Sequence, residues 1–74
     1  MNDVKARVEQ ALRGLAEPQN GELVIPVRVT HRDIASMVGT SREVVTRVFR
    51  NLEETGVVRV DGRRIVLTPE ALRE

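Results

Sequence analysis

The chain reads as an α+β domain, with helices packed into a small core and a two-stranded β-hairpin after them. Three observations predict it. Apolar residues recur at helical spacing over residues 3–16, 31–38 and 41–54. Two β-branched stretches, residues 57–60 and 63–67, flank an Asp61-Gly62 pair, a strong short-range hairpin signal. Gly39 stands between two helical patterns that otherwise follow one another almost without a gap.

Taken in order, the first helix runs from Asp3 to Ala16, with Asn2 or Asp3 as N-cap and Val4, Val8, Ala11, Leu12 and Leu15 as its apolar stripe. Glu17 to Gly21 (EPQNG) reads as loop, because Pro18 disfavours helix at Glu17 and Asn20-Gly21 is turn chemistry. Glu22 to Val29 is apolar and β-branched, which suggests one or two short strands; Pro26 restricts them to a sheet edge or a break. Thr30 stands where an N-cap should, and Asp33 three residues on makes a short variant of the capping box. The helix from His31 to Val38 then buries Ile34, Met37 or Ala35, and Val38, and Gly39 ends it in a left-handed conformation.

Thr40 or Ser41 caps the next helix, which runs to Glu54 and stops at Thr55-Gly56. A small residue at Ala35 and a glycine in the turn share one explanation. Two helices crossing steeply over a short turn bring their backbones close. After the hairpin, Thr68-Pro69 opens a last helical turn over PEALRE. No repeat, low-complexity tract or linker is visible, so residues 1–74 form one domain. Helix, strand, helix-turn-helix (about 30–54) and hairpin (about 57–67) is the order of a winged helix-turn-helix, the hairpin being the wing.

Composition removes several function classes. With 74 residues the chain is near the lower limit for a self-sufficient core. There is no cysteine, so disulfides and zinc–thiolate sites are excluded, and the lone His31 cannot build a metal site by itself. No cofactor is expected in this domain. No apolar run approaches the roughly 20 residues that span a bilayer, and no leader resembles a signal peptide. No membrane association is expected, and the cytoplasm is the expected compartment. One Phe, with no Tyr or Trp, leaves no aromatic platform for stacking single-stranded bases. Catalysis lacks its usual equipment too: no Gly-rich phosphate loop and no convergent carboxylate pair.

What remains is the surface of residues 41–54. Val45, Val48, Phe49 and Leu52 share one face, which places Glu43, Thr46, Arg47 and Arg50 on the other, with Arg42 to the side in the first turn. Net charge is only +1, but from Arg28 to Arg64 there are eight arginines against five acids and no lysine. Arginine is the side chain suited to bidentate contact with phosphate or guanine. A helix that buries one stripe and presents Arg, Glu, Thr, Arg and Arg on the other suits a DNA major groove.

These residues carry a resemblance. Thr30 to Leu67 is similar to the C-terminal DNA-binding domain of the cyclic-AMP receptor protein / fumarate-nitrate regulator family of bacterial transcription factors. The most specific part is Ser41-Arg42-Glu43-Val44-Val45-Thr46-Arg47, which resembles the family's S-R-E-T-V-x-R recognition motif; Gly62-Arg63 fits its wing. The resemblance implies that Arg42 and Arg47 donate to guanine O6 and N7 and that Glu43 accepts from a cytosine amino group, over a G-T-G-A-like half-site. It further implies backbone or phosphate contacts from Thr30, His31, Arg32, Thr40, Ser41, Thr46, Arg50, Arg63 and Arg64. Three departures stand out. Val44 occupies a common threonine position, Thr46 replaces a small or serine residue often found there, and His31 occupies a position where a cationic phosphate contact is common.

Family members also carry an N-terminal sensor domain and a long dimerising helix, neither of which is found in this sequence. The expectation is therefore an excised output domain. In its full-length context it is a homodimer through that N-terminal region, on a palindromic operator and with RNA polymerase as partner, its effector set by the sensor. The competing reading from another class is a winged helix used for protein–protein contact.

Overall fold

The computed structural model describes residues 3–68. The order is α1 (Val4–Leu15), β1 (Glu17–Gln19), β2 (Glu22–Ile25), α2 (His31–Val38), α3 (Arg42–Glu54), β3 (Val58–Asp61) and β4 (Arg64–Leu67). The strands form one antiparallel sheet in the order β1-β2-β4-β3. This is an α+β winged helix, as expected. The helical turn expected over PEALRE, and Asn2 as a cap, lie outside the described residues.

Capping chemistry sets the helix ends. The Asp3 carboxylate accepts from the Ala6 N–H at 3.1 Å and opens α1. At α2 the capping box is complete: Thr30 Oγ1 accepts from the Asp33 N–H at 3.1 Å, and Asp33 Oδ2 accepts from the Thr30 N–H at 2.9 Å. Gly39 closes α2 at φ +85°, where a side chain would be strained. The Thr40 N–H also turns back to the Ala35 carbonyl at 2.9 Å, so Thr40 belongs to the end of α2. Ser41 is the N-cap of α3, its Oγ accepting from the Val44 N–H at 3.2 Å. At the far end of α3, Gly56 (φ +82°) and Val57 donate to the carbonyls of Glu53 and Leu52, the Schellman arrangement.

The eleven buried residues of the core come from every element except β1: Val8 and Leu12 from α1, Ile34, Ala35 and Val38 from α2, Val45, Phe49 and Leu52 from α3, and Ile25, Val58 and Leu67 from the sheet. Ala35, not Met37, faces inward; Met37 is exposed. Arg7 adds a polar tie, its guanidinium donating to the Val38 carbonyl at the C-terminal end of α2.

Three sequence expectations need correction. Glu17–Gln19 is a strand, not loop, pairing with Glu22–Val24 through a two-residue turn at Asn20 (φ 53°) and Gly21 (φ 81°), the type I′ geometry. Pro18 is tolerated because β1 is an edge strand. Val27 and Val29 are not strand: β2 stops before Pro26, whose carbonyl accepts from the Val29 N–H at 3.0 Å to close a turn. In the wing, the turn is Gly62-Arg63, not Asp61-Gly62, since Asp61 pairs with Arg64; Gly62 (φ 64°) takes the first loop position, as a type II′ turn requires.

Candidate nucleic-acid interface

Helix α3 is held from behind and open in front. Val45 and Leu52 are fully buried and Phe49 nearly so, while Arg42, Glu43, Thr46, Arg47 and Arg50 are exposed. The helix thus anchors one stripe in the core and leaves the opposite one to solvent. Arg47 looks toward α1, sharing a shallow hollow with Lys5, Val44, Val48 and Asn51. Arg42 and Thr46 look toward the start of α2, beside Thr30, His31 and Arg32. Between α3 and the wing runs a third hollow, bordered by Arg50 and Glu53 on one side and Val60, Gly62 and Arg63 on the other.

Apart from Arg7, which donates to the Val38 carbonyl, the described arginines divide into two sets. Arg13, Arg28, Arg59 and Arg64 each sit within ion-pair distance of a carboxylate, on α1 or on the sheet and its flanking loop. Among the described residues, Arg32, Arg42, Arg47, Arg50 and Arg63 make no ion pair, and all five lie on α2, α3 or the wing turn. Mixed charge is neutralised at the back of the domain and left as unpaired guanidinium at the front.

Arg64 departs from its expected place. Its neighbour Ile65 borders the α3 hollow, so alternation along β4 turns Arg64 to the other face of the sheet. There its guanidinium reaches Glu22 Oε1 at 2.6 Å, while Arg59 holds Oε2 of the same carboxylate at 2.5 Å. Val24 and Val66 are buried on that same face, outside the main core. Glu22 therefore claims Arg64, which faces away from α3.

The two capping hydroxyls differ. Ser41 uses an oxygen lone pair on the Val44 N–H, which leaves its O–H proton free, whereas the Thr30 hydroxyl, which accepts from the Asp33 N–H, also interacts with the Asp33 carboxylate. The Thr40 amide is taken up by the Ala35 carbonyl. His31 does not stand free either. Its Nδ1 lies 2.9 Å from Thr46 Oγ1, and its ring stacks on Phe49 with centroids 4.6 Å apart and planes at 16°. Partial burial, then the charge of Arg42, hold its pKa below the ordinary value and favour the neutral ring.

Sequence reading missed two neighbours of Arg47, Lys5 and Asn51. Their helical positions were legible, but which helix lies against which is not written in a periodicity. Among the described residues no cluster of three or more His, Asp or Glu side chains is placed to hold a metal, and no helix is long and apolar enough to cross a membrane.

Residues 6–74 match the Crp-like helix-turn-helix domain family. The chain belongs to this family. It is a DNA-binding helix-turn-helix domain of the CRP/FNR type, and its curated relatives are transcription regulators. The Crp-like domain is 38% identical over 69 residues to the cAMP-activated global transcriptional regulator Vfr of Pseudomonas aeruginosa, covering 88% of this chain and 32% of that protein. It is 35% identical over 69 residues to the cAMP-activated global transcriptional regulator CRP of Haemophilus influenzae, covering 88% and 30%. A CRP/FNR-family transcriptional regulator from Thermus thermophilus superposes with a TM-score of 0.74 at 32% identity, covering 90% of this chain and 36% of that one. The chain thus spans about a third of the length of the curated relatives it matches.

Proposed function

We propose that this domain reads duplex DNA by laying α3 in the major groove, as the output module of a dimeric bacterial regulator. The observation that carries the reading is the partition of the arginines among the described residues: Arg32, Arg42, Arg47, Arg50 and Arg63, on α2, α3 and the wing turn, are exposed and without ion pairs, while Arg13, Arg28, Arg59 and Arg64 are paired with carboxylates. A thirteen-residue helix, roughly 20 Å long, fits a groove about 12 Å wide. Arg42 and Arg47 donate to guanine O6 and N7, and Glu43 accepts from a cytosine amino group, over a G-T-G-A-like half-site. Thr30, Arg32, Thr40, Ser41, Thr46, Arg50 and Arg63 line the phosphate path, with His31 beside them.

A second copy, joined through a region outside this chain, would place a second α3 one helical turn away on a palindromic operator. RNA polymerase is the further partner of that assembly, the cytoplasm its compartment, and any effector binds outside this domain. The domain itself performs no catalysis and needs no cofactor.

The test is selection of bound duplexes from a random pool, followed by binding measurements with Arg47→Ala and Glu43→Ala. Each variant costs about 1–3 kcal/mol on the selected site and relaxes the preference at one base pair. Equal weakening on every duplex would remove the base-reading role. A partner protein, and not duplex DNA, shifting the NMR signals of Arg42 to Arg50 would favour the protein-contact alternative.

A further inference from the structure

We propose that His31 controls how Thr46 presents its hydroxyl to DNA: proton uptake by the imidazole beside the phosphate backbone turns Thr46 into an outward hydrogen-bond donor and tightens the complex. This rests on α3 being the groove-facing helix.

The geometry is a relay in three parts. Phe49, anchored in the core, backs the imidazole by stacking at 4.6 Å. The imidazole Nδ1 meets Thr46 Oγ1 at 2.9 Å. Thr46 stands on the exposed face of α3, between Arg42 and Arg50. A neutral imidazole nitrogen either accepts from the hydroxyl or donates to it, so the bond runs in both directions. An imidazolium has only donors. Thr46 must then accept from Nδ1, and its own proton swings outward, toward a phosphate oxygen or a guanine or thymine acceptor.

The surroundings make this conditional on DNA. Charged groups that face or flank the ring are Arg32 and Asp33 on α2, Arg42, Arg50 and Glu53 on α3, and Arg63 on the wing. Asp33 is committed to Thr30. Partial burial, then the charge of Arg42, hold the ring's pKa below its ordinary value in the free domain, where four guanidinium groups surround it against two carboxylates. A phosphate placed among the same arginines reverses that field. The bound pKa then exceeds the free one, so affinity rises as pH falls through the bound-state value and levels off below the free-state value.

The experiment is fluorescence anisotropy with a duplex of about 20 base pairs carrying a G-T-G-A half-site and with a scrambled duplex of the same length. Titrations run from pH 8 to 5.5 at constant ionic strength. A pKa rise of one unit gives up to about tenfold tighter binding at the acid end. His31→Asn keeps a neutral hydrogen-bonding partner for Thr46 and flattens the pH profile to within about twofold. Thr46→Val leaves the ring on Phe49 and loses at least half of the wild-type slope. NMR titration of the His31 Cε1 proton shows its pKa higher with duplex than without.

A His31→Asn profile as steep as wild type, a histidine pKa unmoved by duplex, or an undiminished slope in Thr46→Val would each overturn the inference while leaving DNA reading intact. Absence of binding to either duplex at every pH would sink the groove reading itself, and this inference with it.

Discussion

Arg63 occupies the wing turn with an exposed guanidinium, and Arg64, the next residue, points through the opposite face of the sheet to Glu22. The two side chains are identical, so their difference is one of direction alone. Arg63→Ala is expected to weaken binding to all duplexes alike and to lower the slope of log K against log salt by about one. Arg64→Ala leaves that slope unchanged. It costs stability instead, at most about 1 kcal/mol because the pair is partly solvated.

Asp33 gives a pH-dependent prediction at the same scale. The Thr30 N–H, then the Thr30 hydroxyl and the Arg32 charge, hold its carboxyl below the ordinary carboxylate range. A carboxylate depressed in the folded state stabilises above its unfolded pKa, and the gain disappears as pH falls through the folded value. Asp33→Ala is therefore less stable than wild type at pH 7, and the difference closes in strong acid. Urea unfolding of both proteins at several pH values checks this. The capping box was legible because it is local, three residues apart. Glu22 and Arg64 are 42 residues apart, and no spacing rule connects them.

Between elements, the joint of α2 and α3 decides how the reading helix is aimed. Ala35 is 4% exposed, its carbonyl receives both Gly39 and Thr40, and Ser41 starts the next helix at once. A larger side chain there wedges the helices apart. Ala35→Leu is expected to cost about 1–3 kcal/mol, read as a lower urea midpoint at unchanged m-value. Helices were the legible part of this fold, since apolar spacing and caps act within a few residues. The β1–β2 hairpin read as loop, because Pro18 disfavours helix at Glu17 and Asn20-Gly21 is turn chemistry. Only its edge position, with no ladder partner on one side, makes the missing N–H harmless. The wing was legible as a hairpin, but its register was not: the turn slid by one residue, to Gly62-Arg63, with Val58 and Leu67, both buried in the core, directly opposite each other across the pair.

A chain this small has a narrow stability margin, about 4–11 kcal/mol by the usual per-residue range. Among the described residues its core is one cluster, to which α1, α2, α3, β2, β3 and β4 contribute. Leu12, fully buried, joins α1 to that cluster. Leu12→Ala is expected to cost about 2–5 kcal/mol and to lower Tm by at least about 10 °C, followed by circular dichroism. Because α3 is anchored in the same cluster, this variant loses duplex binding in step with unfolding, with no change in sequence preference below the transition.

The amino-acid sequence by itself determined the three described helices, the capping box that opens α2, the glycine joint, the existence of the wing and the outward stripe of Arg42, Glu43, Thr46, Arg47 and Arg50. All of these follow from periodicities and hydrogen bonds that close within a turn or two. Tertiary structure alone decided which guanidinium groups are neutralised, that Lys5 and Asn51 sit beside Arg47, and that His31 is clasped between Thr46 and Phe49. Those outcomes depend on which face of one element meets another. That choice is made by the whole core at once, not by any stretch of the chain.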